Sequence, residues 1–297
     1  MVERNFKKML AERQKKVGSL VCVGLDPLPE KLPEYLKNQK NSLARDIEIW
    51  MGNIAVATAP FASMFKPQSA HWEAIPGGVE ALRRLIGRIH QMFPDIPVFL
   101  DCKRGDIDRT QERYRIAHFD LNGADGVNFS PYMGKSCMAG LVDKEHLGRA
   151  LVGLCYTSNP SAREVQDVLV EYVGVQMPYW QFIARRTLQW ACELEVVENA
   201  GLVMAAAYES PKDSGNIYSE HLTICRQLVG NRLWFLIPGI GTQGGFIKET
   251  VKAAYAGSGS IAINSSSEII FAGSGEYYAT DAAKKAEELR DAINVAL

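Results

Sequence analysis

Short apolar runs rich in β-branched residues recur along this chain, and each is followed by a turn signal and then a helix-length amphipathic segment. Such alternation marks repeated β-α units and restricts the fold to a parallel sheet covered by helices. We expect strands at Leu20–Asp26, Ser63–Lys66, Val98–Lys103, Gly126–Ser130, Ala150–Thr157, Gly201–Ala207, Trp234–Ile240 and Ser260–Asn264. Between them, Val79–Met92, Arg109–Asn122, Ile217–Val229 and Phe246–Ala256 carry apolar residues at three- and four-residue spacing and read as helices, with Asp281–Ala296 as the last. The stretch from Ala55 to Met64 also reads as the end of a helix, which competes with the second strand. Ser161–Asn199 is longer than one unit needs, and Pro178 is expected to divide it into two helices.

Eight such units fit a (β/α)8 TIM barrel, which typically runs to about 250 residues. A chain of 297 residues leaves room for an extra N-terminal helix, from the charged and apolar alternation of Met1–Lys16, and for a helical insertion after strand 5. No low-complexity tract or long Pro/Gly linker marks a boundary, so one domain over residues 1–297 is expected. The rival is an open doubly wound sheet. Against it, no G-x-G-x-x-G follows the first strand, and polar residues gather at the C-terminal strand ends, where a barrel places its site. Those ends carry Asp26, Lys66, Asp101 with Lys103, Asn128 with Ser130, Thr157 with Ser158, and the loop from Gly239 to Gly245.

Composition narrows the function. With 47 % hydrophobic and 23 % charged residues the chain can bury a large core. Lys plus Arg number 33 against 34 Asp plus Glu, so no global field draws it to nucleic acid or an anionic membrane. An anionic small molecule must therefore be held by local groups. The N-terminal segment does not read as a signal peptide, and no stretch approaches the ~18 apolar residues of a membrane span. Six scattered cysteines without a C-x-x-C pair read as reduced thiols and disfavour a zinc site, which points to the cytoplasm.

The sharpest local feature is Phe99-Leu-Asp-Cys-Lys-Arg-Gly-Asp-Ile107, an apolar strand that ends in alternating charges. Asp101 and Lys103 are two residues apart and leave the same face of the strand, so both enter the barrel mouth if that face points inward. Asp106 lies on the turn into the next helix, placed to cap it or to join a charge network. A purely structural salt bridge is the plainer reading. Burying a cation with two carboxylates for stability alone is a poor trade, because desolvation largely cancels the Coulomb attraction.

Asp101-x-Lys103-x-x-Asp106 resembles the D-x-K-x-x-D signature of orotidine 5'-phosphate decarboxylases and their superfamily, and the longer string is similar to the type 2 branch. Further similar segments are Val23-Gly-Leu-Asp-Pro27, Phe65-Lys-Pro-Gln-Ser-Ala70, Thr157-Ser-Asn-Pro160 and Ile237-Pro-Gly-Ile-Gly-Thr-Gln-Gly-Gly245, so the resemblance spans nearly the whole chain. It implies decarboxylation of orotidine 5'-monophosphate to uridine 5'-monophosphate, the last step of de novo UMP synthesis, without metal or organic cofactor. By the same resemblance Lys103 protonates the C6 carbanion, Asp101 sits beside the substrate carboxylate, and Lys66 extends the charge array and contacts ribose. Asp26 would bind a ribose hydroxyl and Ser158 the pyrimidine amide edge. Asp106 and Thr110 would complete the neighbouring site of a homodimer. The glycine-rich loop containing Gly241 and Gln243 presents backbone N–H groups, and a helix starting near Phe246 adds its positive end, a suitable phosphate cradle.

The resemblance breaks after the eighth strand. Type 2 relatives run into Asn-x-Ser-Arg, whose arginine clamps phosphate, whereas this chain has Asn264-Ser-Ser-Ser-Glu268. Ser267 stands at the arginine position and offers one uncharged hydrogen bond, so weaker phosphate binding is expected there unless another cation, such as Arg163, stands in. The usual Gly-Ala-Thr-Tyr-Pro after the sixth strand is also altered, to Ala205-Ala-Ala-Tyr-Glu209. Two alternatives are a metal-dependent sugar-phosphate decarboxylase or aldolase of the same superfamily and a non-catalytic nucleotide-binding barrel. The former holds Mg²⁺ with carboxylates that include one after the second strand, where this chain has Lys66; the latter has no use for the charge array.

Overall fold

The computed structural model describes residues 4–37, 41–209, 215–240 and 246–297. Eight parallel strands form the centre: β1 (Val21–Gly24), β2 (Met64–Lys66), β3 (Phe99–Arg104), β4 (Gly126–Phe129), β5 (Ala150–Tyr156), β6 (Ala200–Met204), β7 (Trp234–Ile237) and β8 (Ile261–Ser265). Their order around the sheet is β2-β1-β8-β7-β6-β5-β4-β3. Parallel bridges Phe65–Val98 and Gln68–Asp101 join the two ends, which brings the sheet round into a barrel. The strands are apolar almost throughout because helices cover their outer face and the barrel core fills their inner one.

The inner core contains Phe99, Val152, Val203 and Trp234 in a cluster with Phe6 and Leu10 of the N-terminal helix Phe6–Val17. Asn5 caps that helix by accepting from the Lys8 N–H, and Gly18, in the left-handed region at φ 58°, ends it. Phe6 stacks on Trp234 with centroids 5.0 Å apart and meets Phe99 edge-on at 6.0 Å. The expected N-terminal helix therefore plugs the N-terminal end of the barrel and leaves the C-terminal end as the mouth.

Helices Gly78–Met92, Glu220–Val229, Ile247–Ala254 and Tyr278–Ala296 stand where their apolar periodicity placed them. Ile217 and Tyr218, expected to open the helix that begins at Glu220, instead form a short antiparallel pair with Tyr208 and Glu209. The helix expected over Arg109–Asn122 runs from Asp108 to Arg115 and continues as a π-helical stretch, Ile116–Leu121. The insertion after β5 departs most from expectation. Its first half is not a helix but mainly an antiparallel hairpin, Leu169–Tyr172 with Val175–Pro178, turning at Val173 and Gly174 with φ 53° and 73°. Pro178 then serves as the N-cap position of the helix Tyr179–Glu193 instead of separating two helices.

Candidate active site

Strand β3 is buried up to Leu100 and then breaks its own pattern. Its register against β4 shifts between Leu100 and Arg104, and Lys103 adopts φ 47°, a left-handed conformation that costs an L-residue roughly 1–2 kcal/mol. Asn128, at the end of β4, holds this kink: its side-chain oxygen accepts from the N–H groups of Cys102 at 2.9 Å and Lys103 at 2.7 Å. Its amide donates to Asp101 Oδ1 at 2.6 Å. The kink directs the Lys103 ammonium back onto Asp101 Oδ1, 2.6 Å away, while the side chain stays 47 % exposed to the cavity.

Lys66, at the end of β2, is the opposite case, only 3 % exposed. Its ammonium lies 3.2 Å from Asp101 Oδ2 and 3.7 Å from Asp26 Oδ2. Asp26 is in turn fixed by the Gln68 N–H at 2.9 Å and the Ser266 hydroxyl at 2.5 Å. Ser266 packs so tightly on Gly24 that a Cβ there would lie 1.6 Å from its hydroxyl oxygen, so this position of β1 tolerates only glycine. The result is an alternating row, Asp26, Lys66, Asp101, Lys103, across three adjacent strands.

Electrostatics follow from this order. Burial alone would depress the Lys66 pKa, but the Asp26 and Asp101 carboxylates outweigh it and hold the ammonium above the ordinary lysine range. Burial also works against a charged Asp101, yet Lys66, Lys103 and the Asn128 amide keep its carboxyl down at about 2. Both groups are therefore ionised around neutrality.

This row lines the floor of a cavity of about 790 Å³, within the usual range for small-molecule sites. Asn128, Ser130, Tyr132, Thr157, Ser158 and Asn264 contribute to its walls. Of the residues expected from sequence, Asp26, Lys66, Asp101, Lys103 and Ser158 come together there. Gly241 and Gln243 lie outside the described residues. Ser267 begins the short helix Ser267–Ile270, is exposed and does not line the cavity.

Asp106 makes no contact with Lys103 in its own chain: Oδ1 accepts from the Ile107 N–H and its N–H donates to Gln111. Nor does Asp106 cap the following helix, whose N-cap position is Ile107. Thr110 is exposed and likewise away from the cavity. Asn128 and Ser266 organise the row, although from sequence Asn128 is only one polar residue among several at the strand ends and Ser266 has no assigned role. Asn128 stands at the C-terminal end of an apolar strand, a signal of place without a signal of partner.

A (β/α)8 barrel whose mouth carries an interleaved lysine–carboxylate row in a small-molecule cavity belongs to the class of barrel enzymes that stabilise developing charge with fixed groups. The family model described as "Orotidine 5'-phosphate decarboxylase / HUMPS family" matches residues 19–289. The chain is 36 % identical to orotidine 5'-phosphate decarboxylase of Variovorax paradoxus, over 98 % of each chain. It is 35 % identical to that of Dechloromonas aromatica, over 94 % of this chain and 95 % of the other. The solved structure of Leishmania donovani OMP decarboxylase superposes with a TM-score of 0.76 at 28 % identity, covering 98 % of both chains. The chain belongs to the orotidine 5'-phosphate decarboxylase / HUMPS family.

Proposed function

We propose that this chain, as one domain, decarboxylates orotidine 5'-monophosphate to uridine 5'-monophosphate and CO₂, with Lys103 as the acid that protonates C6. The observation that carries the reading is the Lys66–Asp101–Lys103 row: one fixed carboxylate lies between a buried ammonium and an accessible one. Breaking the bond between C6 and the carboxylate leaves its electron pair on C6. The Lys103 ammonium stabilises that charge and donates its proton, and solvent reprotonates the amine. Asp101, held ionised, faces the departing carboxylate and disfavours its bound state. Uncatalysed loss of CO₂ from such a ring is very slow, so the site must lower the barrier by an amount near the top of the ~8–23 kcal/mol range.

We assign Asp26 and Lys66 to the ribose and Ser158 to the pyrimidine edge. We assign Asp106 and Thr110, both outside their own chain's cavity, to the site of a second copy in a homodimer. Among the described residues no helix is long and apolar enough to cross a membrane. All six cysteines are free, in keeping with a cytoplasmic enzyme.

The metal-dependent alternative is disfavoured by geometry, since the Lys66 ammonium occupies the space between the Asp26 and Asp101 carboxylates that a dication would need. The test is product analysis by chromatography after incubation with orotidine 5'-monophosphate in excess chelator. Stoichiometric uridine 5'-monophosphate is expected. Turnover of a sugar phosphate that requires added Mg²⁺, without action on the nucleotide, would contradict the assignment.

A further inference from the structure

The barrel is most thinly bonded between β2 and β3. Where the other neighbouring strands share a ladder, these two are joined by the isolated bridges Phe65–Val98 and Gln68–Asp101. The charge row crosses this same seam, with the Lys66 ammonium 3.2 Å from Asp101 Oδ2. Few backbone bonds therefore fix the spacing of Lys66, Asp101 and Lys103, and side chains must supply the rest.

Strand β3 also bulges at the seam. Leu100 pairs with Val127 and Arg104 with Phe129, so Asp101, Cys102 and Lys103 stand opposite Asn128 alone. Asn128 holds the bulge itself. Arg104 is where the strand regains its register, its carbonyl accepting from the Ser130 N–H at 2.7 Å. Its side chain does not line the cavity. Instead Nη2 donates to Glu73 Oε1 at 2.5 Å, Nε donates to His118 Nε2 at 3.1 Å, and the guanidinium carbon lies 4.7 Å from the centre of the Tyr114 ring. Glu73 ends the short helix Ser69–Glu73 that follows β2, and it also accepts from the Ser69 hydroxyl. His118 lies in the π-helical stretch that follows β3. Burial, and then the guanidinium itself, hold His118 down at about 4, so its imidazole is neutral and Nε2 is free to accept. The ring proton then sits on Nδ1, which is buried with no hydrogen-bond partner, a cost the fold accepts in keeping Nε2 for Arg104.

We propose that Arg104 is a positioning residue for the proton donor: by bridging Glu73 and His118 it closes the β2–β3 seam at the mouth and sets where the Lys103 ammonium stands relative to Asp101 and Lys66. The inference rests on the reading of Lys103 as the acid, so one arm of its test does not depend on turnover. Arg104 and Glu73 are both partly exposed, so their ion pair adds little to global stability and its loss is felt locally.

Arg104→Gln and Arg104→Lys are compared with the wild type by steady-state kinetics, by calorimetric affinity for uridine 5'-monophosphate, and by amide hydrogen exchange read by mass spectrometry. In Arg104→Gln we expect kcat to fall about 10- to 30-fold with nucleotide affinity within about twofold, because the binding surface is kept while the proton donor is misplaced. Exchange over residues 101–105 should rise about tenfold while Ala150–Tyr156 keeps its protection. Arg104→Lys should fall between, since it keeps the charge facing Glu73 but loses the fork that also reaches His118. Unchanged kcat, or unchanged exchange over residues 101–105, would overturn the proposal. So would a joint fall of kcat, nucleotide affinity and protection across the whole barrel, which is what a merely structural role produces. A wild type inert toward orotidine 5'-monophosphate, with local exchange still faster in Arg104→Gln, would tell against the reaction while upholding the support that Arg104 gives Lys103.

Discussion

Asn128 makes three hydrogen bonds at one point of the barrel mouth, two to the backbone of β3 and one to Asp101. Removing it leaves the left-handed Lys103 without restraint and Asp101 short of a donor. The loss of a buried bond to a charged group costs about 1.5–3 kcal/mol. Asn128→Ala should therefore lower kcat by roughly 10- to 100-fold with little change in KM, measured by steady-state kinetics. A second residue-scale prediction concerns acid. Asp101 and the buried Asp125 are both held at about 2; burial opposes each charge, but lysines and Asn128 in the first case and His90 and Arg4 in the second overcome it. Their unfolded value is about 3.9, so folding favours the ionised form, and the stabilisation is complete above that value. It is lost as pH falls through 4 toward 2, on the order of 2–3 kcal/mol per group. Denaturant unfolding at stepped pH should show this decline, and Asp125→Asn should remove part of it. The two-residue spacing of Asp101 and Lys103 made their common face legible in sequence. The kink that brings them to 2.6 Å was not, because it depends on Asn128 from another strand.

At the scale of elements, the N-terminal helix is attached to the barrel by its aromatic plug. Phe6 is fully buried against Trp234 and Phe99, so Phe6→Ala opens a cavity at the closed end of the barrel. The expected cost is about 3–5 kcal/mol, read as a lower denaturation midpoint with an unchanged m-value. Most strands were legible because they are buried on two faces and read as apolar runs between turn signals; β2, three residues long, stood out least, beside a stretch that also reads as the end of a helix. The hairpin after β5 was not legible. Its strand Leu169–Tyr172 is largely exposed, its turn puts a valine at positive φ, and Pro178 is as compatible with a strand end as with a helix break. Gly174 was the one turn signal available, and it lay inside a stretch whose length suggested helices. The glycine-rich loop read as a phosphate cradle falls mostly on residues 241–245, outside the described structure.

For the whole molecule, the proposed function assigns two chains to one site. Asp106 and Thr110 lie outside their own chain's cavity, and in the proposed homodimer a second copy receives them. Mixing Lys103→Ala with Asp106→Ala chains, each inactive alone, should regenerate one intact site in every mixed dimer. Random exchange then restores about a quarter of wild-type activity. Complementation that fails despite exchange shown by differently tagged chains would place Asp106 in its own subunit's chemistry or in none. The most direct test of the central claim is the decay of orotidine 5'-monophosphate absorbance with the purified protein, run beside Lys103→Ala. Rapid loss of substrate by the wild type and a fall to near background in the variant are the predicted results. A Lys103→Ala variant that decarboxylates at the wild-type rate would show that the row on β2 and β3 is not the catalytic centre.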